Sequence, residues 1–170
     1  MITGFSLATF SLTFFLIAAV GFIIVRVRRV RATKEARAKV FNGPWIDARD
    51  LVAGWENENQ KYKQLDDSGC YILLVFDHEV KDGNYTDYKD VFVGKANKAC
   101  EGAYSHLSGE GIEEIAQDFQ DESRFVYVQI RAYEADVLER RERSLVKVMN
   151  ARKSYNGMDN AELRLRLTRS

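Results

Sequence analysis

Glu142 is the acidic residue whose placement most favours a chemical role. A helix is predicted over residues 136–151, and Glu142 falls within its apolar stripe on a helical wheel. That stripe is made by Leu138, Leu145, Val146 and Met149. A carboxylate that is removed from water without a partner costs several kcal/mol. We therefore expect Glu142 either to meet a cation or hydrogen-bond donors, or to reach water from the margin of the stripe.

His106 follows an unexplained glycine in a second predicted helix. The segment "VFVGKANKACEGAYSHL", residues 91–107, predicts a strand that leads into a helix. Gly102 stands inside that helix, one turn before His106, although glycine costs about 1 kcal/mol relative to alanine in a helix interior. A residue that weakens its own helix needs a physical reason, and the sequence pattern of the helix alone does not supply one.

Three strands and several helices are needed to position these residues. Short apolar, β-branched runs predict strands over residues 69–76, 91–94 and 124–133. Helices are predicted over residues 97–107, 112–119 and 136–151, and a connecting helix from Asp47 to about Leu65 follows the turn at Pro44. The order predicts an α+β domain of about 90 residues, with a small three-stranded antiparallel sheet flanked by helices.

The first 25 residues predict a transmembrane helix. Residues 2–25 contain no charge and no proline. As a helix they extend about 36 Å, more than the hydrocarbon core of about 30 Å. Seven Lys and Arg follow within residues 26–39, so we expect a single-pass anchor in the membrane with its N-terminus outside and the domain in the cytoplasm. A cleavable signal peptide carries its positive charge before the apolar stretch, which excludes that alternative.

The zero net charge of the chain hides an uneven distribution. Residues 41–139 hold 9 basic and 21 acidic side chains, whereas residues 140–170 hold 9 basic and 3 acidic ones. Nucleic acid binding requires clustered positive charge, so a nucleic acid partner is expected only at the C-terminal end. Four segments follow: the membrane helix (2–25), a basic juxtamembrane segment with the connecting helix (26–68), the α+β domain (69–157) and a basic tail (158–170).

Two cysteines, Cys70 and Cys100, have no zinc-ligand spacing between them. A cytoplasmic domain keeps its thiols reduced. We therefore expect two free thiols that pack as small apolar side chains.

The ordered motifs resemble those of the GIY-YIG nuclease superfamily. Gly69-Cys70-Tyr71 and Phe92-Val93-Gly94 are similar to its two signature tripeptides, and "GKANKA" after the second is similar to the excision-repair branch. His106 follows twelve residues after Gly94. A third strand, a helix with "ERSLVK" from Glu142 and a closing "YNG" over residues 155–157 complete the set, which covers about half of the chain.

The resemblance implies phosphodiester hydrolysis with one divalent metal ion, Mg²⁺ or Mn²⁺. In the family a glutamate on the last helix holds the ion, tyrosine hydroxyls help to activate water, and an arginine stabilises the developing charge, as electrostatic catalysis requires. The positions that match the family's polar site residues are Tyr71, Lys95, His106, Glu142 and Asn156, with Glu142 as the metal ligand.

Two departures from the family pattern affect the chemistry directly. Phe92 replaces the second signature tyrosine and has no hydroxyl, and Gly102 occupies the arginine position eight residues after Gly94. An arginine in comparable phosphoryl-transfer roles contributes orders of magnitude in rate. The sequence therefore favours a membrane-anchored binding or interaction module with weak or no nuclease activity. The alternatives are a divergent metal-dependent endonuclease that uses Lys95 or Lys98, and a plain membrane-tethered adaptor with no relation to the family.

Overall fold

The computed structural model describes the backbone of residues 7–157 and the side chains of residues 21–59 and 61–157. The predicted basic tail, residues 158–170, lies outside the described residues, as do most side chains of the predicted membrane helix. The chain divides into two compact units, Met1–Lys39 and Val40–Ser170. Within the part of the chain that was described, no helix is both long and apolar enough to cross a membrane.

From residue 69 onward the elements follow the predicted β-β-α-α-β-α order, with additional elements before it. The helices are α1 (Leu7–Phe41), α2 (Ala48–Glu56), α3 (Gln60–Gln64), α4 (Ala99–Leu107), α5 (Glu113–Gln120) and α6 (Leu138–Met149). The strands are β1 (Ile46–Asp47), β2 (Gly69–Phe76), β3 (Asp90–Ala96) and β4 (Phe125–Ala132). Short 3₁₀ turns precede and follow α6. The α+β class is confirmed.

The sheet has four antiparallel strands in the order β1-β4-β2-β3, so the prediction of three strands was wrong. The additional strand, β1, pairs Ile46 with Val128 and Asp47 with Tyr127. Two residues are too few to show the alternation by which a strand is recognised in sequence. Strand β1 therefore forms because β4 has an edge open for pairing, and not because residues 46–47 carry a strand pattern of their own.

Strand β2 separates the two layers of the core. Every residue of β2 is buried, and side chains alternate between the two faces of a strand. Tyr71, Leu73 and Val75 belong to the cluster formed with α2 to α5, and Cys70 and Ile72 belong to the cluster formed with α6. Helices therefore cover both faces of the sheet, which explains the continuous apolar run of this central strand.

The predicted connecting helix is two helices that pack on the sheet. Asp47 caps α2 as expected, because its side chain accepts a hydrogen bond from the Arg49 N–H at 2.8 Å. The helix ends at Asn57, and Glu58 then adopts a left-handed backbone with φ of 54°. A left-handed residue cannot continue a right-handed helix. A new N-cap, Asn59, then begins α3.

The free edge of β3 is hydrogen-bonded by side chains instead of by another strand. The Asn156 amide accepts from the Val93 N–H at 2.8 Å and donates to the Val93 carbonyl at 2.7 Å. Ser154 Oγ accepts from the Val91 N–H at 2.9 Å and donates to Asp90 Oδ1 at 2.7 Å. These side chains satisfy backbone groups that an edge strand otherwise leaves open.

We expect Asn156→Ala to destabilise the fold by about 1–3 kcal/mol, because it leaves both polar groups of Val93 without their partner. The free energy of unfolding, measured by urea titration of the full chain in detergent, tests this. Asn84→Ala is the matched control, since the exposed Asn84 amide bonds only the nearby Thr86. Equal losses for the two variants would contradict the role given to Asn156.

Candidate functional site

Tyr71 and His106 form the first polar pair of the candidate site. Tyr71 lies on β2, and its hydroxyl oxygen is 3.1 Å from Nε2 of His106, near the end of α4. The Ile112 N–H donates to His106 Nδ1 at 3.0 Å. Since Nδ1 accepts this bond, the neutral ring carries its proton on Nε2, and Nε2 donates to the Tyr71 oxygen. The tyrosine proton then remains available to another acceptor.

Burial keeps both members of this pair neutral. Burial, with a smaller contribution from the negative charge of Glu142, raises the pKa of Tyr71 to about 12. Burial lowers the pKa of His106 below its ordinary value. Tyr71 is therefore a hydrogen-bond donor near neutral pH and not a phenolate base.

Lys95 and Glu142 form the second pair. The ammonium of Lys95, near the end of β3, donates to Glu142 Oε2 at 2.5 Å. The hydrogen bond to Glu142 raises the pKa of Lys95, so the lysine stays charged. The expectation that Glu142 meets a cation is met, and the cation is a side chain of this chain.

The two pairs belong to opposite faces of the β2–β3 ladder. Tyr71 is the register partner of Gly94, whereas Lys95 is the partner of Cys70, whose Sγ lies 3.9 Å from the Leu138 carbonyl of α6. Register partners share a face of the sheet. Throughout the described residues, no hydrogen bond joins one pair to the other. Glu142 affects Tyr71 only electrostatically, by raising the pKa of its hydroxyl.

Phe92 and Asn156 have structural contacts near the two pairs: Phe92 packs against a ring, and Asn156 bonds the backbone of β3. The Phe92 ring is buried against the His106 ring, with a centroid distance of 4.7 Å. The Asn156 side-chain amide accepts from the Val93 N–H and donates to the Val93 carbonyl. Cys70 and Cys100 are free and buried, as predicted, and burial raises their thiol pKa values to about 11 and about 12.

Gly102 is explained by close packing. A Cβ at this position would lie 2.9 Å from the Ala96 Cβ and 2.9 Å from Tyr71 Cε1, closer than real Cβ atoms approach. A Cβ at Gly94 would overlap the other side of the same ring, at its hydroxyl end. The absence of two side chains therefore makes room for Tyr71. A longer side chain at Gly102, including arginine, first needs that ring to move.

The donor set fits a resident divalent ion poorly. Mg²⁺ is held by carboxylates together with water, and Glu142 is one carboxylate whose Oε2 already carries the Lys95 ammonium. A cation at the same oxygen is repelled by that ammonium. Among the described side chains, no group of three or more His, Cys, Asp or Glu is arranged to hold a metal ion.

Comparison with protein-family models, with curated proteins and with solved structures finds no match to this chain.

Three residues contribute to the site although no sequence motif identifies them. Ile112 acts through its backbone N–H, which fixes the His106 tautomer. Gly94 contributes only the space beside the Tyr71 ring. Ser154 bonds the β3 edge two residues before Asn156 does. A backbone group and an empty volume become visible only once the helices are packed on the sheet.

We expect Gly102→Ala to lower the free energy of unfolding by up to about 2 kcal/mol, because an overpacking cost of about 1–3 kcal/mol exceeds the gain of about 1 kcal/mol in helix propensity. Urea titration measures it. Ser105→Ala on the same helix is the control: it adds no atoms, and it removes only the hydroxyl that donates to the Gly102 carbonyl at 2.9 Å, so we expect a change of about 1 kcal/mol or less. Stabilisation by Gly102→Ala would show that the Tyr71 ring does not limit this position.

The half-buried His106 predicts a loss of stability in acid. Because folding lowers its pKa below the unfolded value of about 6.5, its contribution is complete above that pH and falls as pH drops below it. Protonation also places a hydrogen on Nδ1, opposite the Ile112 N–H. We expect wild type to lose more stability between pH 7 and pH 5 than His106→Gln does.

The control for this measurement is His78→Gln, which changes the chain's other histidine, an exposed residue. It is expected to keep the pH dependence of wild type. A His106→Gln variant with an unchanged slope would contradict the neutral, half-buried imidazole.

Proposed function

We propose that this chain is a membrane-anchored, GIY-YIG-like module that binds a partner or ligand through its domain and has little or no nuclease activity. The observation that carries the proposal is the packing at Gly102. The family's arginine position holds a glycine whose Cβ would meet the Tyr71 ring and Ala96. The charge that stabilises a phosphoryl transition state has no place at this position.

The state of Glu142 supports the same proposal. Its carboxylate is engaged by the Lys95 ammonium at 2.5 Å, which opposes a metal ion at that oxygen. Phe92 adds no hydroxyl, and Tyr71 has a pKa near 12 that keeps its proton in place. The Tyr71–His106 pair on one face of the sheet offers hydrogen bonds to a ligand, and the Lys95–Glu142 pair on the other face offers charge. Neither pair supplies an activated nucleophile.

The membrane anchor and the cytoplasmic location of the domain are part of the proposal. They rest on the sequence, where 24 consecutive residues without charge are followed by the basic segment over residues 26–39. A stretch of that length is typical of a single transmembrane helix, and the basic segment is typical of its cytoplasmic side.

The alternative function is a divergent endonuclease that depends on Mg²⁺ or Mn²⁺, and one contact favours it. The Lys95 ammonium lies within hydrogen-bond distance of Glu142. A phosphate group near Glu142 is therefore within reach of a fixed positive charge, which in this alternative replaces the missing arginine. Lys98 is less suitable, because its ammonium contacts Glu101 at 3.3 Å on the surface of α4.

The full chain in detergent, incubated with DNA and RNA in Mg²⁺ or Mn²⁺, distinguishes these functions. We expect no cleavage above that of Glu142→Ala prepared in the same way, because the arginine charge and the second tyrosine hydroxyl are both missing. Product formation on denaturing gels is the measurement. Cleavage by wild type that Glu142→Ala abolishes would reject the binding module, and its loss in Lys95→Gln as well would establish the alternative.

A further inference from the structure

A basic groove lies at the C-terminal end of α6. It is lined by Arg143, Val146, Lys147, Asn150 and Arg152 and has a volume of about 330 Å³. We call it the α6 groove. The three cations of the groove are other residues than the Lys95–Glu142 pair, and Arg143 and Lys147 are exposed whereas Glu142 is half-buried and bonded to Lys95. Val146, on the same stripe as Glu142, forms the apolar part of the groove lining.

A left-handed residue brings the walls of the α6 groove together. Asn150 ends the helix with φ of 58° and ψ of 29°, a conformation that asparagine adopts more readily than most residues. The chain then turns back through a 3₁₀ segment, Ala151–Lys153. This turn puts Arg152 beside Arg143, nine positions earlier in the sequence.

The positive side chains of the groove are not needed to cap the helix. Lysine and arginine near a helix C-terminus often bond the last carbonyls, but three of the last four carbonyls of α6 have other partners. The Asn150 N–H bonds the carbonyls of Val146 and Lys147, and the Tyr88 hydroxyl bonds that of Met149 at 2.8 Å. Capping of the helix C-terminus therefore explains little of the positive charge in the α6 groove.

Two of the three cations lack an acidic partner. Arg143 is paired with Glu139 on the preceding turn. Within the described residues, Lys147 and Arg152 make no ion pair, although acidic side chains outnumber basic ones in the rest of the domain. Like charges that are gathered in one groove repel each other, and a bound anion removes that cost.

We propose that the α6 groove binds the phosphate group of a small ligand. Arginine and lysine are the side chains that recognise phosphate, arginine through paired N–H donors and lysine as a point charge. The Asn150 side chain adds a neutral polar group to the lining, and Val146 an apolar one. A small ligand is favoured as the occupant because the groove encloses only about 330 Å³, and the 21 acidic and 9 basic residues among positions 41–139 give an extended polyanion little further positive surface. Nucleic acid, which the charge distribution predicts at the C-terminal end, is a competing occupant that the test below distinguishes.

Calorimetric titration of the full chain in neutral detergent with pyrophosphate tests the groove. We expect saturable binding, which Lys147→Gln with Arg152→Gln weakens by about tenfold or more, since two charge-assisted contacts are lost. Arg152→Gln alone and Lys153→Gln form the matched pair, since each removes one positive charge from adjacent exposed residues. Lys153 lies outside the groove lining, so Lys153→Gln is expected to change the affinity by less than about twofold, and Arg152→Gln by more. Melting temperatures of all variants establish that they are folded.

Three outcomes overturn the proposal. No detectable heat at millimolar pyrophosphate removes the site. Equal weakening by Lys153→Gln and Arg152→Gln means that the overall charge of the C-terminal end attracts the ligand. Binding of a labelled oligonucleotide or of phosphatidylserine vesicles without any binding of pyrophosphate means that the surface serves an extended polyanion. None of these outcomes bears on cleavage at Glu142. The phosphate-binding proposal can therefore be rejected without rejecting the proposed function, and the reverse also holds.

Discussion

The ring of Tyr71 fills the space where β2, β3 and α4 approach one another. Gly94 on β3 and Gly102 on α4 leave out the two side chains that would occupy that space. Interiors are packed densely enough that one additional carbon atom at such a position is felt. The position of α4 on the sheet, and with it the position of His106, therefore depends on keeping both glycines.

Close packing at residue 102 and a long side chain at the same position exclude one another. The helix can approach the sheet closely, or it can carry a long cation at residue 102, but the observed arrangement does not allow both. The remaining cation near the site, Lys95, comes from β3 instead and is held by Glu142. Its position depends on the β3 edge, which Asn156 binds through the Val93 backbone. A strand edge held by side chains thus positions the charge that the helix cannot supply.

Much of the fold follows from local patterns, and the site follows only in part. The strand over residues 69–76 agrees in full with its apolar run, because its signal is local and repeated. The sequence left Glu142 either a cation, hydrogen-bond donors or a path to water, and the structure gives it a cation. Nothing local identifies that cation as Lys95, 47 positions earlier. Strand β1 and the reason for Gly102 were not predictable, because each depends on residues distant in sequence. Strand β1 depends on the edge of β4, and Gly102 on the Tyr71 ring and Ala96.

A double-mutant cycle between Gly102 and Tyr71 tests the central constraint most directly. Gly102→Ala, Tyr71→Leu and the double variant are compared with wild type by the free energy of unfolding. Leucine ends before the ring carbon nearest Gly102, so in the double variant the new methyl group gains space. We expect the double variant to be more stable than the sum of the single changes predicts, by about 1 kcal/mol or more, well above the additivity limit of about 0.3–0.5 kcal/mol. Effects that add within that limit would contradict the account, because the cost of a side chain at residue 102 would then not come from Tyr71.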